Sequence, residues 1–283
     1  MKAKKNIAKK RTSPPVRREK SAEQGKTRVY VVGDQPLVEE YVRLCKVRGF
    51  SVFYDFNTHC DDGRRPDTSG SNHSPHVPAG TSFALELTNV DLGRKRRNLE
   101  ILDKALPASC AIVSSSVTVS ATEQSSWIGH KSRLVGCSAL PSLGDKPLIE
   151  IAPTVFSPAE TIRIVERFFR SLGKEIELVQ DRVGMVFPRI LCQVINEASF
   201  ALQEEIALPR DIDTAMKIGF NFPLGPIEWA EKIGLDQVDA ILKALHSDLC
   251  EDRYRTAPIL RQMAANGTWW HGTQAPLEER HSA

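Results

Sequence analysis

A chain of 283 residues has room for two domains, and 41% hydrophobic residues are enough to give each a core. No apolar run nears the ~20 residues of a membrane-crossing helix, and no apolar h-region marks the N-terminus as a secretory signal. Six cysteines at 45, 60, 110, 137, 192 and 250, without a Cys-x-x-Cys, match neither a zinc ribbon nor a disulfide framework and fit a reducing cytoplasm.

The net charge of +3 divides into +8 over residues 1–26 and −5 over the rest. The basic stretch has few large apolar residues and contains Pro14-Pro15, so it is expected to be a disordered tail. The alternative is an arm for phosphates or membrane surfaces, or a targeting segment. It carries no interleaved aromatics to stack bases, so nucleic acid is not an expected partner.

Residues 27–34 read as a buried parallel strand, a β-branched run ending at Gly33. Residues 36–48 follow as a helix, with Leu37, Tyr41, Leu44 and Val47 at helical spacing and Gly49 as the stop. SVFYDF (51–56) is a second strand. Strand, turn, helix, strand is the opening of a doubly wound nucleotide-binding fold. Residues 57–82 lack periodicity and are rich in Gly, Pro, Ser and Asp, which predicts a long flexible loop. His59, Cys60, Asp61, Asp62, His73 and His76 have no zinc-motif spacing, so no metal site is predicted.

Order resumes with a strand over 83–87 and a helix over 91–105. Strands are expected within 108–120, 133–140 and 147–153. Ser157-Pro158-Ala159-Glu160 reads as a helix start with Ser157 as N-cap, ended by Gly173. The last strand is 174–181. From Val186 onward the pattern is all helix. Residues 187–207 carry one long apolar stripe, suited to packing within the monomer or across a dimer. Asp211 or Asp213 is expected to cap the next helix, which ends at Gly219. PLGP (223–226) makes a tight turn into a helix over 226–233, and Asp236 caps 237–250. Short helices joined by Gly/Pro turns make a compact bundle.

Residues 181–263, above all DIDTAMKIGFNFPLGPIEWAEKIGLD, closely resemble the C-terminal domain of the 3-hydroxyacyl-CoA dehydrogenase family. Residues 27–180 resemble the family's NAD domain more weakly but in the same order, so the resemblance covers about residues 27–265. It implies an α/β fold: a doubly wound Rossmann-like domain over 27–181 and an all-helical domain over 182–265, with a tail at 266–283. It also implies NAD as cofactor, an acyl-CoA ligand, and a homodimer or heterodimer formed through the helical domain.

Carried over residue by residue, the family's sites are altered here. The G-x-G-x-x-G turn reads Gly33-Asp34-Gln35-Pro36-Leu37-Val38. Only the first glycine remains, a donor is lost at Pro36, and Asp34 adds negative charge at an anion site. NAD binding is therefore opposed by the residues themselves. Asp55 lies one residue before the position of the family's ribose-binding acid, and Glu86 aligns with a glutamate near the cofactor. Either could equally be a solvated carboxylate at a strand end. The catalytic histidine of a GMHFFNP-like segment becomes Ser138 in Gly136-Cys137-Ser138-Ala139-Leu140-Pro141. A serine cannot serve as that base without its own activator. The orienting glutamate persists as Glu150. The serine of an NTSSL-like strand end becomes Val117, and the asparagine of a GFVVNR-like segment becomes Pro188. Trp269 and Trp270 either cap the core or line a binding surface.

Three readings follow. The first is a family member with lost or impaired hydride transfer that acts through acyl-CoA binding or dimerisation. The second is an active NAD-dependent dehydrogenase of fatty acid metabolism with displaced catalytic groups. The third is a structural dimer module without a ligand.

Overall fold

The computed structural model describes residues 27–57 and 72–267. The basic segment 1–26, residues 58–71 with His59 and Cys60, and the Trp269–Trp270 pair lie outside the described residues. Among those described, no helix is long and apolar enough to cross a membrane.

The first layer is a seven-stranded sheet of order β2-β1-β3-β4-β5-β6-β7. β1 (Arg28–Gly33), β2 (Ser51–Phe56), β3 (Phe83–Leu87), β4 (Ala111–Ser115) and β5 (Leu134–Cys137) are all parallel. β6 (Leu148–Pro153) turns back antiparallel to β5, and β7 (Glu175–Leu178) runs parallel to β6. β1, β3 and β4 are buried on both faces, as their unbroken apolar runs require of parallel strands. α1 (Gln35–Val47) and α4 (Ala159–Ser171) cover one face through Leu37, Tyr41, Val165 and Phe169. α2 (Leu92–Ala105) covers the other through Leu99 and Leu102, and the short α3 (Ala121–Ser125) follows β4. The order of the strands reverses between β1 and β3, so a crevice opens at their carboxyl ends.

The second layer is helical: α5 (Phe187–Gln203), α6 (Pro209–Phe220), α7 (Pro226–Ile233), α8 (Leu235–Leu249) and α9 (Pro258–Asn266). Ile195, Trp229, Ile241, Leu245 and Leu260 form its core, and Val117 and Leu140 reach into that core from loops beyond the sheet. The two layers therefore share apolar packing at the carboxyl edge of the strands.

Helix boundaries differ from the sequence expectations where a cap comes from elsewhere in the chain. Ser157 does not cap α4. Its hydroxyl accepts from the Thr154 amide (2.9 Å) and donates to the Leu134 carbonyl (2.7 Å), tying the end of β6 to β5. Asp213 is not the cap of α6, which starts at Pro209; its carboxylate instead accepts from the Ile227 and Glu228 amides at the start of α7. This arrangement requires Gly225, where a Cβ would lie 2.1 Å from Asp213 Oδ1. α6 runs past Gly219 to Phe220 because Asn221 takes the left-handed closing conformation, φ 55°. α8 begins at Leu235, placing Asp236 inside its first turn. The short α3 falls where no element is expected, and α9 falls in the stretch expected to be helical from Val186 onward.

Candidate functional site

The crevice is built from the β1–α1 turn upward. Gly33 has φ +149°, and a Cβ there would stand 2.5 Å from the Leu87 carbonyl carbon. The close approach of β3 thus requires glycine here whether or not a phosphate binds. Asp34 is at the N-cap position of α1, yet its carboxylate caps nothing on that helix. Its Oδ2 accepts from the Asn89 amide (2.9 Å) and Gln237 Nε2 (3.3 Å), and its Oδ1 accepts from Asn57 Nδ2 (3.2 Å). Gln237 Oε1 accepts from Asn89 Nδ2 (2.9 Å), which also donates to the Ala139 carbonyl (3.0 Å).

Three loops of the sheet layer and the first turn of α8 therefore meet on one carboxylate. A diphosphate at this turn would need those donors and would face that negative charge. Gln35, in the turn, is engaged with Glu39 (2.9 Å). The residues present do not fit a dinucleotide. Asp236 lies beside the network, and burial raises its carboxyl above the usual aspartate range, with the Asp34 charge adding to the effect.

Glu86 points into the protein. It is fully buried and pairs with the equally buried Lys95 (2.5 Å); it also accepts from Ser114 Oγ (2.9 Å), the Thr88 amide (3.1 Å) and Asn98 Nδ2 (3.2 Å). Lys95 further donates to the Thr88 carbonyl (2.7 Å), so this buried pair is also well hydrogen-bonded. Asp55 accepts from its own neighbour's amide, that of Phe56 (3.0 Å), and contacts His73 Nε2 (3.1 Å) from the segment that rejoins the sheet. Neither acid faces the Asp34 turn through a hydrogen bond.

At the other end of the same edge, Ser138 and Glu150 stand opposite each other beyond the β5–β6 pairing. The Ser138 amide donates to the Glu150 carbonyl (3.0 Å), and the Glu150 amide donates to Ser138 Oγ (3.2 Å). The Glu150 side chain turns away to the start of α5, accepting from the Val186 (3.0 Å) and Phe187 (2.7 Å) amides. Both are helix-terminal donors that need an acceptor, and a carboxylate at a helix N-terminus also complements the positive end of the dipole. Pro188 is buried in the same first turn, where its missing N–H costs nothing. Val117 is fully buried, and its carbonyl accepts from the Gly184 amide (3.0 Å). The structure thus brings Ser138, Glu150 and Pro188 to one corner and places Val117 in the helical core. It holds Gly33, Asp55 and Glu86 at separate points nearer β1.

Two cavities border this edge. One of about 730 Å³ lies between α2, α3 and α8–α9, and carries Glu123, Asp236, Asp239 and Asp248 against Lys243 and Arg261. The other, of about 220 Å³, lies at Ser138 and Glu150. Asn57, Asn89 and Gln237 had no sequence signal, since their roles depend on partners up to 203 residues away. Among the described residues no group of acidic, His and Cys side chains could hold a metal.

A Rossmann-like sheet closed over by a helical bundle defines a two-layer α/β protein of doubly wound type, and sequence comparison narrows the class. The family model for the 3-hydroxyacyl-CoA dehydrogenase C-terminal domain matches residues 184–275. A probable 3-hydroxybutyryl-CoA dehydrogenase of Bacillus subtilis is 30% identical over 193 residues, 68% of this chain and 67% of that protein. Its counterpart in Deinococcus radiodurans is 36% identical over 153 residues, so the match spans only 54% of each protein. The chain belongs to the 3-hydroxyacyl-CoA dehydrogenase family. The solved (S)-3-hydroxybutyryl-CoA dehydrogenase of Ralstonia eutropha shares the fold with a TM-score of 0.69 at 24% identity, covering 86% of this chain and 95% of that one. FadB2 of M. tuberculosis does so with a TM-score of 0.74 at 18% identity and the same coverage.

Proposed function

We propose that this family member has lost or impaired hydride transfer and acts by association through its helical domain, residues 182–265. The 27–181 domain serves as its base. The observation that carries the reading is the Asp34 carboxylate, which already takes the Asn57, Asn89 and Gln237 donors of the nucleotide crevice. Ser138 at the base position, Val117 and Pro188 at the two substrate-contacting positions, and Glu150 committed to α5 all support it. The free thiols of Cys45, Cys110, Cys137, Cys192 and Cys250 suit a cytoplasmic setting.

Association is favoured over acyl-CoA binding by two features. Val186, Phe187 and Ile190 at the start of α5, with Ile218 and Phe220 at the end of α6, leave large apolar side chains in water. A second copy or a homologous chain would cover them. The larger cavity has more acidic than basic groups, which opposes the phosphates of coenzyme A.

Calorimetric titration with NADH is expected to give no heat of binding up to millimolar cofactor. Micromolar affinity, or reduction of acetoacetyl-CoA by NADH above background, would establish the rival reading of an active dehydrogenase with displaced groups. Light scattering should find a dimer.

A further inference from the structure

The 220 Å³ pocket at Ser138 has walls of Leu140, Leu143, Ile149, Phe187, Pro223 and Trp229. It contains one group that such walls leave in need. Lys174, which also lines it, is buried, with 7% of its surface exposed. Its Nζ donates to the Gly144 and Lys146 carbonyls. An ammonium has three N–H donors. The third finds no acceptor among the described residues, and no carboxylate there forms an ion pair with it. Glu150 lines the same pocket, but the α5 amides hold both its oxygens. Glu40 and Asp145 act on Lys174 only through space and do not outweigh its burial, so a buried cation with carbonyls as its only hydrogen-bond partners is costly unless an anion contacts it.

The mouth has the same sign. Lys146 is exposed, and its Nζ lies 5.5 Å from the centre of the Trp229 ring. Inside, Ser138 Oγ accepts from the Glu150 amide, and its own proton has no acceptor among the described residues. Tyr41 and Glu150 also line the pocket, and the rest of the wall is apolar and partly aromatic. An engineered apolar cavity of about 150 Å³ holds a benzene molecule, whereas drug-sized ligands take about 300 Å³ or more. The volume therefore suits one ring with a short arm, or an aliphatic chain of about six carbons. It excludes a nucleotide.

We propose that this pocket binds a small hydrophobic monocarboxylate as the free acid anion. The carboxylate meets Lys174 and the Ser138 hydroxyl, and the tail packs against Trp229, Phe187 and Leu143. The inference shares Ser138 with the function proposed above and rests on it only in that no imidazole fills position 138. It is independent of whether NADH binds.

The test is calorimetry on the full chain with phenylacetate and hexanoate, each against its neutral amide. The acids are expected to bind at least about tenfold more tightly than the amides, a difference of about 1.4 kcal/mol. Lys174→Met should bring acid affinity down to that of the amide and leave amide binding unchanged. Leu148→Trp, at the exposed rim, should weaken both without touching the buried groups, and it serves if the Lys174 variant does not fold. Equal affinity for acid and amide, no binding of either acid at millimolar concentration, or full binding by Leu148→Trp would each overturn the proposal. NADH affinity of the same samples bears only on the function proposed above.

Discussion

The two ends of the sheet's carboxyl edge have been resolved in opposite ways. Over β1 and β3 the crevice is filled by side chains bonded to one another, Asp34, Asn57, Asn89 and Gln237 above and Glu86 and Lys95 below, with Asn89 Oδ1 left as a buried acceptor without a partner. Over β5 and β6 the side chains have turned outward, with Glu150 capping α5, and an apolar pocket with an incompletely partnered Lys174 remains. A polar site closes itself when its charges and most of its other donors and acceptors find partners within it. It stays open when its charges are drawn off to other tasks and apolar walls cannot follow.

The sharpest way to break the contrast is at the closed end. Glu86→Ala leaves Lys95 charged and buried, so urea denaturation should show a loss of about 3–5 kcal/mol. Replacing both with methionine should recover most of it. Recovery failing would mean that the pair's geometry, rather than its charge, holds β3 to α2.

At the open end, Glu150→Ala removes two charge-assisted bonds from the first turn of α5. A loss of about 2–3 kcal/mol is expected, with faster hydrogen exchange at the Val186 and Phe187 amides. Ser138→Ala should cost less than about 1 kcal/mol, since only one bond of the pair involves its hydroxyl. If the two variants cost the same, Glu150 is not the helix cap the geometry makes it.

The smallest effect is a pH dependence. The Asp236 carboxyl is raised from 3.8 by burial and by Asp34, so the native state binds its proton more tightly than the unfolded chain does. Its contribution to stability is therefore fully present below about 3.8 and is lost as pH rises through the raised folded value. Asp236→Asn should delete that segment of the stability profile and stabilise the protein only slightly at neutral pH, since the residue's surface is exposed to screening water. An unchanged profile would show that Asp34 and Asp236 do not interact across the layers.

Local chemistry made much of the fold legible. The unbroken apolar run of β1, the stops at Gly49 and Gly173, and the PLGP turn into α7 all lie where the residues alone place them. The helical domain is legible through the close resemblance of 211–236 to the family's C-terminal domain. The lost features of the nucleotide turn were also visible, since Pro36 and Asp34 act through their own backbone and charge.

What the sequence alone determined, then, is the order of elements, the family, and which positions carry altered chemistry. Only the tertiary structure decided that Asp34 is held by Gln237, that Asp213 caps the helix after its own, that Glu86 is buried against Lys95, and that Lys174 faces a pocket. The reason is that helix and strand signals are local, repeating within a few residues. Hydrogen-bond partners for buried polar groups are instead chosen by whatever the folded chain brings within about 3 Å, however distant in sequence.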